Sequence, residues 1–471
     1  MSLAPASSRG LVRALGITAA TSLIVCNLIG QGIFLKTRAM TCNAGSPDLV
    51  LIAWVAAGLL ALCGALSFAE LGSMMPDSGG PYAFLRRAFG RPMAFAYGWT
   101  VFFLYAPLAC AALAAGAAIF LNLMSGGALE AFAFHAQLLV WHFTITGTQC
   151  AALAILAAVA LVNCAPVQVN GTIATLLTIL KVLMVGGLTI AAFAVGQGDW
   201  HHFAANGLAG ACAGIAASAR GGATGFAAAM IGAMYAYNGF AALTYVAGEV
   251  KNPARTIPIA LVASMTIVIV LYAAANVAYF YVLSPAVIAN LSPASSVGIE
   301  VVGTVFSSAA RGTAAALLLI SVIATLHVSI LSTSRIVYAY SGDGLFLPWL
   351  SRVSGARVPV RAVLALAILA ALLVTLGSFD SLSDLFVFTG WLFYGLTTLS
   401  VFVLRKKEPE ADRPFRVVGY PVVPALFVVT TAWLLAEVVM AAPERSLIAL
   451  AIIALSLPVY WWRSHVRTAS S

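Results

Sequence analysis

Three stretches of this chain contain no Asp, Glu, Lys or Arg: the residues between Arg91 and Glu130, between Glu130 and Lys181, and between Arg255 and Glu300. Crossing the hydrocarbon core of a membrane takes roughly 20 apolar residues. Each stretch therefore holds at least one spanning helix, and some hold a helix plus a loop. The 471 residues are 62% hydrophobic and only 8% charged, too little charge to cover a soluble domain of that size. The expected fold class is an all-α polytopic membrane protein.

Apolar runs predict twelve transmembrane helices, at 14–40, 48–73, 92–121, 148–165, 170–196, 225–250, 257–283, 312–340, 361–378, 383–404, 415–438 and 446–463. The first begins near Arg13 and is too long, and too poor in a cleavage site, for a removable signal peptide. Of the 24 Lys and Arg, 18 fall on the side of the termini, five on the other, and Lys181 within a span. Basic excess marks the cytoplasm, so both termini are expected there, in a plasma (bacterial inner) membrane. The net charge of +9 then reflects topology and the lipid bilayer, and no nucleic acid is needed to explain it. The run Arg405-Lys406-Lys407 reads as a stop after span ten. Loops 122–147, 197–224 and 284–311 are long and are expected to lie partly helical on the outer face.

Seven cysteines are scattered without a C-x-x-C pair, and most sit in apolar segments as small hydrophobes. A bond between Cys42 and Cys212, both near helix ends on one side, is not favoured by the sequence.

Two spans carry weak points. Span one reads "LIVCNLIGQGIFLK", with Gly30-Gln31-Gly32 at its centre. Span six reads "MYAYNGFAALTYVAGEVKNP", with the turn dipeptide Asn238-Gly239 at similar depth. Broken backbone in lipid strands polar groups at several kcal/mol each, unless protein or a guest satisfies them. Glycines that merely let helices pack closely would explain one such site. Two breaks at matching depth, five spans apart, point to an inverted repeat with its site between the halves. After Gly32 the half-helix aims free N–H groups at the midplane, which suits a carboxylate. Before Tyr237 the other half aims free C=O groups there, which suits an ammonium. One zwitterion fits both: the backbone of an α-amino acid. Gln31 and Asn238 add amides that line the pocket.

At these residues the chain resembles the amino acid–polyamine–organocation (APC) superfamily, which has the LeuT fold. "IGQGIF" looks like the family's I-G-S-G-I-F, and "AELGSMMPDSGGPYAFLRRAFG" is similar to its hallmark after the second helix. "AYNGFAALTYVAGEVKNPARTIP" looks like its sixth helix and following loop. "NVAYFYVLSP", "STSRIVYAYSGDGLFLP" and "WLFYGLTTLSVFVLRKKEPEADRPFRV" point to the L-type amino acid transporters and their bacterial relatives. The resemblance implies a 5+5 inverted repeat, 1–196 and 225–404, followed by 415–463. It implies a carboxylate site at the backbone of Ile29, Gly30, Gln31 and Gly32. It implies an ammonium site at the carbonyls of Leu28, Tyr235, Ala236 and Asn238, in a segment running through Tyr237 to Gly239. Tyr235 would close over substrate. Phe240 stands where the family usually has Trp, Gln31 where it has Ser, and Asn238 where it has a smaller residue.

Lys181, deep in span five, is a functional candidate because a charge at the midplane is expensive. The resemblance implies that its ammonium replaces a sodium ion of related symporters, with carbonyls near Cys26 and Asn27 and the hydroxyls of Thr325 and Ser329 as partners. The alternative is a lysine snorkelling to an interface. His327 either relays protons, contacts substrate or simply packs, and packing is the preferred reading. His201 and His202 beside Asp199 are too few for a firm metal site. No carboxylate is expected at the breaks, so neutral amino acids are favoured. Loop 122–147 has no cysteine. In eukaryotic L-type transporters the resemblance places there the disulfide to a heavy chain, so no such partner is expected.

The function expected is sodium-independent amino acid transport by exchange, with proton-coupled symport as runner-up. A channel would need a filter loop or rings of like charge. A membrane-embedded protease would need H-E-x-x-H or paired intramembrane aspartates. Neither pattern is seen, and no cofactor or enzymatic activity is expected. A nutrient sensor on the same fold would usually carry a long soluble tail, and these tails are short.

Overall fold

The structure, a computed structural model, describes residues 13, 15–76, 79–138, 141–164, 170–195, 198–205, 211–342, 346–352 and 358–470. Residues 77–78 and 343–345, parts of two motifs above, and most of the segment before span one lie outside them.

The described chain is almost wholly helical. Span one is two helices, α1 (Ile17–Leu28) and α2 (Gly32–Ala44), bent by 45° at the break. Gly45 takes the left-handed conformation (φ 83°) that ends α2. Ser46 then caps α3 (Pro47–Met74), accepting from the Leu49 amide, with Pro47 in the first turn. A short α4 (Pro81–Phe89) leads to α5 (Arg91–Met124). There follow α6 (Gly147–Asn163), α7 (Asn170–Ala194) and α8 (Gly222–Ala236). After the second break come the one-turn α9 (Ala242–Tyr245) and α10 (Pro253–Val282). The remainder is α11 (Pro285–Asn290), α12 (Val297–Val305), α13 (Ser308–Gly342), α14 (Val360–Leu376), α15 (Phe379–Lys407), α16 (Val422–Ala441) and α17 (Pro443–Ser470).

Seven of these helices are long and apolar enough to cross a membrane, and the bent pair makes up to eight. Four shorter apolar helices lie at Gly147–Asn163, Ile179–Ala194, Gly222–Ala236 and Val360–Leu376. Large apolar side chains face outward along the outer helices, including Leu161, Ile190, Leu372, Val429 and Leu447. A continuous apolar exterior of this kind suits lipid, not water. The protein is a multi-pass membrane protein.

Packing sorts most helices into two groups. In one, α3 lies along α10, α1 along α10, and α2 along α8. In the other, α5 is enclosed by α13, α6, α14 and α15. Small buried residues on α5 (Ala111, Ala112, Ala114, Ala117 and Ala118) let these neighbours approach closely. The breaks lie where the two groups meet.

Three expectations are corrected. Loop 122–147 is not helical: Ala133–Leu138 (β1) and Trp141–Thr146 (β2) form an antiparallel hairpin, with Ala133 opposite Thr146. Its Phe, Trp, Ile and Thr content suits a pleated surface better than a helix. Cys42 and Cys212 do form a disulfide, across 170 residues, which no spacing rule reveals. Span ten starts at Phe379, not 383, because Ser378 and Ser381 form a capping box there. That extra turn puts Asp380 on the helix. The loop expected at 284–311 is partly helical, as α11 and α12.

Candidate functional site: two facing helix breaks

At the first break, Ile29 closes α1 by donating to the Val25 carbonyl, and Gly30 donates back to Leu28. Among the described residues, the amides of Gln31, Gly32 and Ile33, at the mouth of α2, have no backbone partner, as the N-terminus of any helix leaves them. At the second, Tyr237 and Asn238 donate back to Ala233 and Tyr235, and Gly239 takes φ 128°, which excludes a side chain. The carbonyls of Ala236, Tyr237 and Asn238 accept no backbone hydrogen bond. Tyr272 of α10 donates to Leu28 O at 2.6 Å and reaches Ala236 O at 3.5 Å.

The breaks touch. A Cβ on Gly32 would stand 2.8 Å from the Ala236 Cβ, and Asn27 Nδ2 donates to Gly239 O at 3.2 Å. The amides of Gln31 to Ile33 and the carbonyls of Tyr237 and Asn238 thus border one small region, whereas the other carbonyls expected to take an ammonium are engaged: Leu28 O accepts from Gly30 and Tyr272, Tyr235 O from Asn238, and Ala236 O from Tyr272.

Side chains divide by direction. Gln31 is buried, with Nε2 donating to Ala112 O at 2.8 Å and to the Tyr235 hydroxyl at 2.7 Å. It lies over Gly116, where any Cβ would collide with it. Asn238 Oδ1 accepts from Tyr394 (3.0 Å) and Tyr105 (3.2 Å). Tyr105 closes a π turn, Val101–Tyr105, two residues before Pro107. Proline supplies no N–H, and the register slips there. Tyr237 points away, against Trp54 and Tyr272, so only its backbone borders the gap. Phe240 packs on Phe68, Trp391 and Tyr394.

Lys181 is buried and reaches Thr325 Oγ1 at 2.7 Å and Cys26 O at 3.3 Å. It ties α7 to α1 and α13 beside the first break. The other two coupling candidates lie elsewhere. Ser329 is within 4.0 Å of Cys110 Sγ, and His327 Nδ1 meets Asn163 Nδ2 at 2.9 Å. His201 pairs with Asp199 in an exposed loop and holds that carboxyl below its usual range, while His202 meets Phe280 O.

The sequence reading missed the charges that close the site. Lys36, one turn beyond Gly32, is buried and bonds both Asp380 and Asp384 of α15 at 2.9 Å. Its ammonium also lies 5.1 Å from the Phe379 ring centre and 5.7 Å from that of Tyr235. Carboxylates therefore do stand near the breaks, but they are matched by a cation. The signal available was the i, i+4 spacing of the two aspartates. On the opposite face, Glu70 of α3 takes Arg405 in a bidentate pair (2.6 and 2.9 Å) and the Val417 amide (2.7 Å). Arg405 is therefore more than a stop signal. Arg87 pairs with Glu408 nearby, which holds that carboxyl below its usual range. Tyr97 and Tyr245 meet hydroxyl to hydroxyl at 3.0 Å, and Leu15 bridges Val250. Lys36 with Asp380 and Asp384, and Glu70 with Arg405, thus join the two helix groups on opposite sides of the breaks.

A multi-pass helical protein whose two broken helices meet inside the fold has the architecture of a membrane carrier. The model of one family, described as amino acid permease, matches residues 15–458, and the chain belongs to that family, within the APC superfamily. It is 27% identical over 440 residues to the mouse b(0,+)-type amino acid transporter 1, covering 92% of this chain and 84% of that one. It is 27% identical over 459 residues to the serine/threonine exchanger SteT of Bacillus subtilis (strain 168), covering 96% and 97%. It is 28% identical over 460 residues to the human cystine/glutamate transporter, covering 96% and 85%. These relatives are L-type-like members of the superfamily, and they are transporters, not enzymes.

Proposed function

We propose that this chain is a sodium-independent amino acid transporter that exchanges one neutral L-amino acid for another by alternating access. The observation that carries this is the meeting of the two breaks. Among the described residues, unpaired amides at Gln31 to Ile33 and unpaired carbonyls at Tyr237 and Asn238 border one gap. Substrate bound there satisfies backbone that lipid cannot. The reading takes the helices as twelve spans in a LeuT-like 5+5 arrangement, with residues 1–196 and 225–404 as the repeats. It places the Lys36 face outside and both termini in the cytoplasm of a bacterial inner membrane.

In this mechanism the group holding α1, α2, α3, α8 and α10 rocks against the group around α5. The outer closure is Lys36 with Asp380 and Asp384, and the inner one is Glu70 with Arg405. Only one need break at a time. Lys181 holds α1 to α13 with a fixed ammonium where a symporter would need a bound ion. Substrate lowers the barrier to rocking, so the empty carrier recrosses slowly and exchange results. One relative, SteT, is itself named an exchanger. The names of the relatives differ in substrate and so do not supply this chain's. No disulfide-linked heavy chain enters the reading, since 122–147 holds no cysteine and Cys42 is bonded to Cys212.

One observation favours a second reading. Among the described residues Lys181 meets only neutral oxygens, so its proton is not held by a carboxylate. Proton-coupled symport through Lys181 is the alternative. Counterflow in liposomes, with and without a pH gradient, separates the two. Trans-stimulation independent of the gradient supports exchange. Uphill uptake driven by the gradient into empty vesicles supports symport. Neither, for any amino acid, would refute transport.

A further inference from the structure

Two side chains at the breaks are left half satisfied. Among the described residues, Gln31 spends both Nε2 bonds on Ala112 and Tyr235, and its Oε1 accepts nothing. Asn238 Oδ1 takes two phenols, and its Nδ2 donates to nothing. Both residues are buried, at 1% and 7% exposure. Buried polar atoms almost always find partners, and an exception calls for an explanation. The Ala112 carbonyl fixes the Gln31 amide, because only a donor can approach it.

Beside Asn238 is a narrow cavity lined by Tyr105, Gly390, Tyr394, Thr389, Thr100 and Tyr245, among others. Gly390 is what opens it: a Cβ there would stand 3.2 Å from Asn238 Nδ2 and 2.7 Å from the Tyr105 ring. The lining holds no Asp, Glu, Lys, Arg or His. The orphaned donor lies against Gly390, behind the two phenols that rim this neutral space. Gln31, for its part, lays its amide into the room that Gly116 of α5 leaves.

We propose that Asn238 and Gln31 read the substrate's side chain, and that the substrate is a small, uncharged amino acid bearing a hydroxyl or carboxamide. The side-chain oxygen accepts from Asn238 Nδ2, and a substrate N–H or O–H donates to Gln31 Oε1. An aliphatic guest of equal size leaves the buried amide unpaired, which is the strongest basis for rejection a site of this kind has. A carboxylate or ammonium side chain finds no counter-charge in the lining. The inference rests on the transport reading and narrows it.

Threonine and valine make the test, being matched in shape and different only in the hydroxyl. The full-length protein in liposomes should exchange threonine over valine by about tenfold or more in kcat/KM. Asn238→Gly should bring that ratio within about twofold, and Gln31→Ser should lower it in part. Equal handling of threonine and valine by the wild type overturns the inference while leaving transport intact. A ratio that survives Asn238→Gly also overturns it. No exchange of any amino acid by well-folded wild type overturns the transport reading and this inference together. Should Asn238→Gly not fold, thermal shift of the wild type decides: threonine must stabilise more than valine, and equal shifts overturn the proposal.

Discussion

Gly30 and Gly32 are one residue apart, yet alanine should be tolerated at the first and harmful at the second. At Gly30 an added Cβ meets nothing nearer than Leu28 O at 4.0 Å. At Gly32 it would lie 2.8 Å from the Ala236 Cβ, 3.0 Å from the Ala236 Cα and 3.2 Å from the Tyr235 ring. Carbon atoms prefer about 3.5–4.0 Å. The breaks must therefore separate by roughly 1 Å, and two of the three obstacles belong to or sit on the opposing backbone. Overpacking of this kind costs about 1–3 kcal/mol. Purified Gly32→Ala should then melt roughly 1–3 °C below wild type without substrate, while Gly30→Ala stays within about 0.5 °C. A displaced gap also misplaces the amides, so Gly32→Ala should raise the exchange KM by about 5- to 150-fold, the same free energy expressed as affinity. If Gly32→Ala matches wild type in both measurements, the breaks do not meet as described and the site fails with them.

Lys181→Ala should abolish or strongly reduce exchange while the protein still elutes as a single folded species; full activity would remove Lys181 from the mechanism. Lys36→Met should leave Asp380 and Asp384 facing each other unpaired. The carboxylates are 31% and 47% exposed, so the loss is nearer about 1–3 kcal/mol than that of a fully buried pair. Adding Asp380→Asn and Asp384→Asn should restore much of the melting temperature, and no rescue would mean the cluster does not hold α2 to α15. Cys42→Ser should cost about 2–5 kcal/mol, since the bond closes a long loop of the unfolded chain; reductant should reproduce the loss in wild type and change nothing in the variant. Glu408 is held below its usual carboxylate range by Arg87. That contribution is full above the unfolded value near pH 4.3 and is lost as pH falls through the folded value. The pair is partly exposed, so the effect stays under about 1 kcal/mol. Arg87→Gln should flatten the acid side of the stability curve slightly, and an unchanged curve refutes the pairing in solution.

What the sequence settled about this chain was local. Uncharged apolar runs mark the chain as multi-pass and helical, because lipid imposes its thickness on any helix that crosses it. Gly30, Gly32 and Asn238-Gly239 name the breaks, because helix weakness is a property of a few adjacent residues. Lys181 stands out because one charge in an apolar helix has no cheap explanation. Pairing was left to the tertiary structure. Lys36 and Asp380 are 344 residues apart, and Glu70 and Arg405 are 335 apart. Each reads alone as an ordinary charge near a helix end. The same holds for Cys42 with Cys212, and for the separation of Ser329 and His327 from Lys181. Whether Gln31 and Asn238 face solvent, lipid or each other's neighbours is set by which helix lies opposite. A chain encodes its own backbone preferences residue by residue, but partners across the molecule exist only once packing has brought distant helices together.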